Sequence, residues 1–342
     1  MRGAGTSPDY LLEVRGLRKY FPIHKGFLRK LVGQVRAVDD VSFSLERGQT
    51  LALVGESGCG KTTTARCIIR AHAPTAGQIL FRTDADTVVD MTQLSKRQLR
   101  PLRRQMQMIF QDPYSSLNPR KTLLDIVGEP LLVNGVTNRQ ERVARVADLL
   151  RLVGLQPEYM RRFPHAFSGG QRQRVGIARA LALHPSLIVA DEPVSALDVS
   201  VQAQILNLLQ DLQAQFKLTY LFVAHDLSVV KHVSDRVAVM YVGQIVESAP
   251  TQALYTTPKH PYTESLLSAV PKPDPRLRAD RIVLEGEVAD PAHPPSGCHF
   301  HPRCPYVLPV CRTEPPALEA IAPGHFVRCH RARELTLRGV GS

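Results

Sequence analysis

From Leu11 to Leu17, and again from Ala37 to Leu45, apolar and polar residues alternate with the period of a strand that buries one face. Thr50 to Val54 is instead a short apolar run. It ends in a glycine-rich loop, after which Thr63 to Ile69 is compatible with a helix. Another β-like run lies near Leu102 to Phe110, and from Thr122 to about Leu155 the pattern turns helical, with Leu, Ile and Val recurring at three and four. A second strand–helix series follows: Leu187–Ala190, Leu218–Ala224 and Arg236–Tyr241 read as strands, and Val201–Phe216 as a helix. Such alternation predicts a mostly parallel sheet covered by helices.

After about Pro250 the composition shifts. Pro258, Pro261, Pro271, Pro273 and Pro275, then Pro291, Pro294 and Pro295, read as a stiff, poorly helical connector. Beyond it lie four of the six cysteines, an appendage with a chemistry of its own. The 342 residues, 44% of them hydrophobic, suit one large α/β domain plus that appendage. The longest apolar stretches, around Leu181–Ala190 and Tyr220–Ala224, are about half of a bilayer span or less. No apolar stretch precedes Asp9, so no secretory signal is read and the cytoplasm is the expected compartment. A net charge of +12 favours anions: nucleotide, acidic lipid or nucleic acid. With no Trp and 6% aromatic residues there is little material for stacking bases, which weighs against nucleic acid.

The loop Gly55-Glu56-Ser57-Gly58-Cys59-Gly60-Lys61-Thr62 satisfies GxxxxGK[ST] in full, between an apolar strand and a helix. Its glycines turn backbone N–H groups toward a β-phosphate, Lys61 brings a point charge to the β- and γ-phosphates, and Thr62 offers a hydroxyl to Mg²⁺. Gly55, Ser57, Gly58, Gly60, Lys61, Thr62 and Thr63 form the expected nucleotide-binding set, and Cys59 fills a variable position as a small residue. The strand Leu187–Ala190 ends in Asp191 and Glu192. Asp191 is placed to hold Mg²⁺, and Glu192, one residue on, to act as general base on the attacking water. Alone, such a pair reads as a helix cap; with the phosphate loop and the following Pro193, Ser195, Ala196, Leu197 and Asp198 it reads as catalytic.

Between these motifs stands Ser168-Gly169-Gly170-Gln171. A hydroxyl, two unobstructed glycine amides and a helix start make a second anion site. One chain is not expected to bring both anion sites to the same γ-phosphate, and only one phosphate loop is present. Two such units should therefore meet head to tail with nucleotide between them.

Together these motifs resemble the ATP-binding cassette ATPases of importers. The resemblance implies a P-loop NTPase fold of α/β class, with a mostly parallel sheet, an antiparallel β edge region, a helical subdomain and a small Cys-containing C-terminal extension. Ser168, Gly169, Gly170 and Gln171 then match the family signature, with Phe167 where many members carry Leu. Gln111 resembles the glutamine that touches Mg²⁺ and the nucleophilic water, His225 the switch histidine on the γ-phosphate, Ser195–Asp198 the D-loop, and Tyr20 the aromatic that stacks on adenine. The segment Asp112-Pro113-Tyr114-Ser115-Ser116-Leu117-Asn118-Pro119, the insertion Pro22–Val35, His260-Pro261-Tyr262-Thr263 and the run from Cys298 to Pro305 are similar to the oligopeptide/dipeptide class, most of all its F-type subunit. Members serve peptides, nickel and some sugars. By this likeness residues 10–250 form the nucleotide-binding domain, with about 112–165 as a helical subdomain receiving a coupling helix, and 251–335 form the connector and extension. Also implied are ATP and Mg²⁺; a second ATPase subunit of distinct, D-type kind; two transmembrane permease subunits; an extracytoplasmic substrate-binding protein; and a peripheral place on the cytoplasmic face of the inner membrane. The rival class, a soluble cassette protein acting on nucleic acid or ribosomes, would carry paired cassettes or a long helical insertion, and neither is present.

Cys298, Cys304, Cys311 and Cys329 are separated by five, six and seventeen residues, a spacing of neither common zinc pairs nor the ferredoxin run. In a cytosolic setting clustered thiols read as metal ligands before disulfides. Four thiolates suit a [4Fe–4S] cluster or Zn²⁺ equally. The resemblance favours the cluster, since some relatives with this tail are associated with one; zinc and free thiols stay open. His299, His301, His325 and His330 are further candidates, read first as surface histidines.

Overall fold

The computed structural model describes residues 10–26, 30–270 and 282–340. Strands β1 (Tyr10–Lys25) and β2 (Lys30–Glu46) form a long antiparallel hairpin in which Leu12 faces Leu45 and Pro22 faces Gln34. The two alternating runs are therefore its inner half, and the described ends of the insertion, Pro22–Lys25 and Lys30–Val35, pair beyond them. The phosphate-loop strand β3 (Thr50–Val54) and helix α1 (Lys61–Ile68) follow, then β4 (Ala76–Arg82) and β5 (Val88–Asp90), which complete a four-stranded sheet in the order β2-β1-β4-β5.

The run Leu102–Phe110 is not one strand. Its first half belongs to α2 (Lys96–Gln105), and only Met106–Ile109 is β6. A capping box between Ser95 and Gln98 starts the helix, and Leu99 and Leu102 alone face the core, so the surrounding arginines mask the helical period. The helical stretch that follows is two helices, α3 (Leu123–Val133) and α4 (Arg139–Leu152), parted by Asn134-Gly135 and restarted by the Asn138 cap. Then come α5 (Gly169–Leu181), β7 (Leu187–Asp191), α6 (Val199–Phe216), β8 (Thr219–Ala224), α7 (Leu227–Val233) and β9 (Arg236–Tyr241).

The stretch after Pro250 also departs from expectation. β10 (Gln244–Pro250) leads into two short helices, α8 (Thr251–Thr256) and α9 (Pro261–Ser268). Pro261 opens α9 at a first-turn position, where its missing N–H costs nothing, so here proline starts a helix. Pro271, Pro273 and Pro275 lie outside the described residues. The chain ends with α10 (Pro309–Thr313), β11 (Glu319–Ala322) and β12 (His325–Val327). The last two strands join the central sheet, whose order is β11-β12-β10-β9-β3-β8-β7-β6; β9 to β6 run parallel, and the β10, β12 and β11 edge is antiparallel.

Both faces of the parallel part are covered, which is why β3, β7 and β8 read as continuous apolar runs. Leu51, Leu53, Val189 and Val223 pack toward the four-stranded sheet, while Ala52, Val54, Ile188 and Phe222 pack toward the helices. The loops at the carboxyl ends of these strands are thereby held from two sides, and the chemistry-bearing residues sit on them. No helix among the described residues is long and apolar enough to cross a membrane.

Candidate functional site

The phosphate loop is wedged between two backbones. A Cβ on Gly55 (φ +151°) would meet the Met240 carbonyl oxygen at 2.2 Å, and one on Gly60 (φ +106°) the Ala37 carbonyl oxygen at 2.1 Å. Only glycine fits either position. Ser57 and Gly58 stand exposed at the crest of the loop. Lys61 is buried and folded over its own loop, its ammonium donating to the carbonyl oxygens of Gly55 (2.8 Å) and Glu56 (3.0 Å). Thr62 donates its hydroxyl to Asp191 Oδ1 at 2.9 Å, so residues 129 positions apart meet as hard oxygen donors side by side. Burial raises the Asp191 carboxyl pKa and the Thr62 hydrogen bond opposes the rise. Thr63, next in α1, follows directly behind Thr62.

One residue beyond Asp191 the backbone turns into the left-handed region, with Glu192 at φ +46° and its amide donating to the Val223 carbonyl oxygen at 3.0 Å. For a non-glycine residue this is a strained conformation, held here by the strand beside it. The turn brings Glu192 Oε2 to Gln111 Nε2 (3.0 Å) and His225 Nδ1 (3.1 Å). The carboxylate is largely covered, and His225 is open to solvent. The three residues expected to be catalytic thus converge on one oxygen, each delivered by the carboxyl end of a different parallel strand: β6, β7 and β8.

Ser168 caps α5. Its hydroxyl accepts from the Gln171 amide (3.3 Å), and Gln171 Oε1 accepts from the Ser168 amide (3.1 Å). Gly169 lies against Leu197 of the D-loop-like segment, and a Cβ on Gly170 would meet Val201 of α6 at 2.4 Å. Asp198 caps α6, accepting from the Val201 amide and the Ser200 hydroxyl, and those bonds hold its carboxyl below the usual range. Arg172 and Arg174, candidates for extra charge at the signature, instead bond backbone carbonyls of Pro164 and Val153. Among the described residues no hydrogen bond joins Ser168–Gln171 to the phosphate loop.

Tyr20 pairs across the hairpin with Arg36, the neighbour of the Ala37 that walls Gly60. Its hydroxyl donates to Asp39, and burial with that bond pushes the phenol up to about 12. Sequence reasoning did not single out Met240, Ala37 or Asp39. They come from strands remote in sequence, and nothing in their residue types marks them.

The four tail cysteines line one cavity, with Phe300 and His301 among its walls. None is in a disulfide, and burial pushes the Cys298, Cys304 and Cys329 thiols each up to about 11. Convergent thiols are the donor chemistry of a soft metal, yet among the described residues no three ligand side chains already stand in a metal-holding group. The histidines are engaged elsewhere: His325 with Glu247 (2.7 Å), and His299, His301 and His330 with backbone carbonyls.

The ABC transporter family matches residues 38–195, and the family described as the oligopeptide/dipeptide transporter C-terminal region matches residues 246–311. The oligopeptide transport ATP-binding protein AppF of Bacillus subtilis is 54% identical over 328 residues, 95% of this chain and 98% of the relative. The probable peptide ABC transporter ATP-binding protein y4tS of Sinorhizobium fredii is 54% identical over 322 residues, 94% and 90% of the two chains. Among solved structures, the dimeric post-hydrolysis state of the ATP-binding cassette MJ0796 bound to ADP and Pi superposes with a TM-score of 0.61 at 28% identity, over 70% of this chain and 98% of that one. CbiO1 from Clostridium perfringens, part of the ABC transporter complex cbiONQ, gives 0.60 at 26% identity over 72% and 91%.

Proposed function

The chain belongs to the ATP-binding cassette ATPases, in the oligopeptide-importer branch, and on that premise we propose how its residues divide the work of ATP hydrolysis. Tyr20 takes the adenine face. Gly55, Ser57, Gly58, Gly60 and Thr63 present the loop amides and a hydroxyl to the phosphates, with Lys61 turning from its loop carbonyls to the β- and γ-oxygens. Thr62, Asp191 and Gln111 offer hard oxygens that would hold Mg²⁺, and the ion would supply charge neutralisation at the phosphates. Glu192 accepts the proton of the attacking water, and His225 orients that water's target through the γ-phosphate.

The observation that carries this reading is the convergence of Gln111 and His225 on Glu192 Oε2. Both donors hold the carboxylate oxygen that must take the proton. Glu192→Gln keeps the shape and removes the base, so it retains MgATP affinity within about twofold and loses about 10²- to 10⁴-fold in turnover. Single-turnover hydrolysis beside equilibrium binding measures both, and near-normal hydrolysis overturns the assignment.

The nucleotide-binding domain is 10–250 and the extension 251–335. The segment 112–165 exposes the side chains of Tyr114, Leu132, Val133 and Phe163, apolar material for contact with the coupling helix of a membrane subunit. The assembly pairs this chain with a distinct, D-type ATPase subunit beneath two permease subunits at the cytoplasmic face of the inner membrane, fed by an extracytoplasmic binding protein. In the tail Cys298, Cys304, Cys311 and Cys329 hold a [4Fe–4S] cluster, with Zn²⁺ as the alternative for the same four thiolates. Iron and acid-labile sulfide in roughly equal amounts in anaerobically purified protein support the cluster, and zinc without iron replaces it.

A further inference from the structure

Glu56, the second residue of the phosphate loop, has all three of its polar groups engaged. Its carbonyl accepts from Lys61 (3.0 Å), and its amide donates to the Tyr262 hydroxyl (2.9 Å). Its carboxylate accepts twice from Arg303, at 2.8 and 3.2 Å. Tyr262 and Arg303 belong to the C-terminal extension, 206 and 247 positions from Glu56. The Arg303 side chain is 8% exposed and that of Glu56 28%, so the forked pair is partly shielded from water.

Both residues stand on a fixed frame. The Tyr262 ring packs 4.7 Å from Tyr241 and 5.4 Å from Phe300, centroid to centroid, and the Arg303 guanidinium lies 6.0 Å over the Tyr241 ring. The wholly buried carboxylate of Glu247 accepts from the amides of Lys259 (2.8 Å) and His260 (2.9 Å), fixing the entry to α9. His260 Nδ1 then accepts from the Tyr262 amide at 3.1 Å. The His-Pro-Tyr-Thr run is thereby explained as the mount of one hydroxyl. Arg303 ends the short helical turn His301–Arg303 between Cys298 and Cys304.

We propose that Tyr262 and Arg303 are positioning residues for ATP: acting through Glu56, they hold the phosphate loop in its receiving shape and make the C-terminal extension part of the nucleotide site. The inference rests on the reading of Gly55–Thr62 as the ATP-binding loop. A staple serving only to fasten the tail could end anywhere on the cassette surface. This one ends on one of the two residues whose carbonyls hold Lys61, where a small displacement of the backbone moves both the amides and the ammonium. A loop ordered in advance spares nucleotide binding the entropy of ordering it.

The test is calorimetric titration of the full-length chain with MgATP in a Glu192→Gln background, which returns the Kd and the number of competent sites separately. Arg303→Gln is expected to raise the Kd about five- to tenfold and Tyr262→Phe about threefold, both at unchanged stoichiometry. Arg303→Lys recovers part of the loss. In a Glu56→Gln background Arg303→Gln adds no more than about twofold, because its effect passes through Glu56. Lys61→Ala loses binding. If Lys61→Ala binds like the parent, the loop reading itself fails. If Lys61→Ala loses binding but Tyr262→Phe and Arg303→Gln keep the parent Kd, or lower only the number of sites, the extension is a structural staple and the proposal falls. An Arg303→Gln effect that persists in full without Glu56 assigns the guanidinium to the phosphates directly and also overturns it. Should Arg303→Gln fail to fold, Tyr262→Phe, which removes one oxygen from a packed ring, decides by the same criteria.

Discussion

Cys59 sits inside the phosphate loop of an ATPase, where a reactive thiol would be a liability. Its sulfur is buried, 3.8 Å from the Lys61 ammonium. Burial raises its pKa, and the nearby Lys61 charge offsets this only in part. A raised pKa means a smaller thiolate fraction at any given pH, and the thiolate is the species that alkylates. Native protein at pH 8 should therefore react with iodoacetamide at Cys59 at least about tenfold more slowly than a free cysteine, by peptide-resolved mass spectrometry. Cys59→Ala should keep MgATP affinity within about threefold. Rapid labelling would show that the loop opens to solvent, and a loss of affinity would give the sulfur a part in shaping the loop. The residue-level motifs were legible because they are local: Lys61, Thr62, Asp191 and Glu192 each lie in a short pattern with its own strand. The bond between Thr62 and Asp191, and the pair between Glu56 and Arg303, were not, since nothing local in either partner encodes the other.

At the level of elements, apolar pattern worked where a strand is covered on both faces and misled where a helix runs directly into a strand. β3, β7, β8 and β9 match the sequence reading within a residue or so, because four or five consecutive apolar positions admit few alternatives in a covered sheet. Leu102 to Phe110 contains the end of α2 and the whole of β6, and buried Leu102, Met106 and Met108 fall at even spacings on both sides of the boundary, a spacing that reads as strand alternation. Proline misled in the opposite sense after residue 250. Pro261 lies at N1 of α9, and a position at the helix start cannot be told from a breaker by composition alone. The joining of β12 to β10 was invisible for another reason. His325–Val327 is three residues long, too short for any period, and its place in the sheet is set by Glu247 and Arg328.

At the scale of the whole molecule no hydrogen bond among the described residues joins Ser168–Gln171 to the phosphate loop. Gln111, Glu192 and His225 gather around the strand ends beside Thr62 and Asp191, while Ser168–Gln171 packs with Leu197 and Val201. The Ser168 hydroxyl accepts from the Gln171 amide, which leaves its own hydrogen to donate outward, and Gly169 adds an amide at a helix start. If those donors serve ATP held by the opposing subunit, blocking them must spare this chain's own nucleotide affinity and abolish ATP-driven pairing. Ser168→Arg places bulk and charge at that point. In a Glu192→Gln background it should bind MgATP within about twofold of its parent but fail to form the ATP-dependent pair with the opposing subunit in analytical ultracentrifugation. Loss of the cap costs about 1 kcal/mol, so a thermal melt accompanies the measurement and a modest fall in midpoint is expected. The opposite pattern, weakened nucleotide binding with pairing intact, would mean that the signature acts on the ATP of its own chain. In that case Glu192 and Ser168 would work on one nucleotide, and the chain would be a complete site and not half of one.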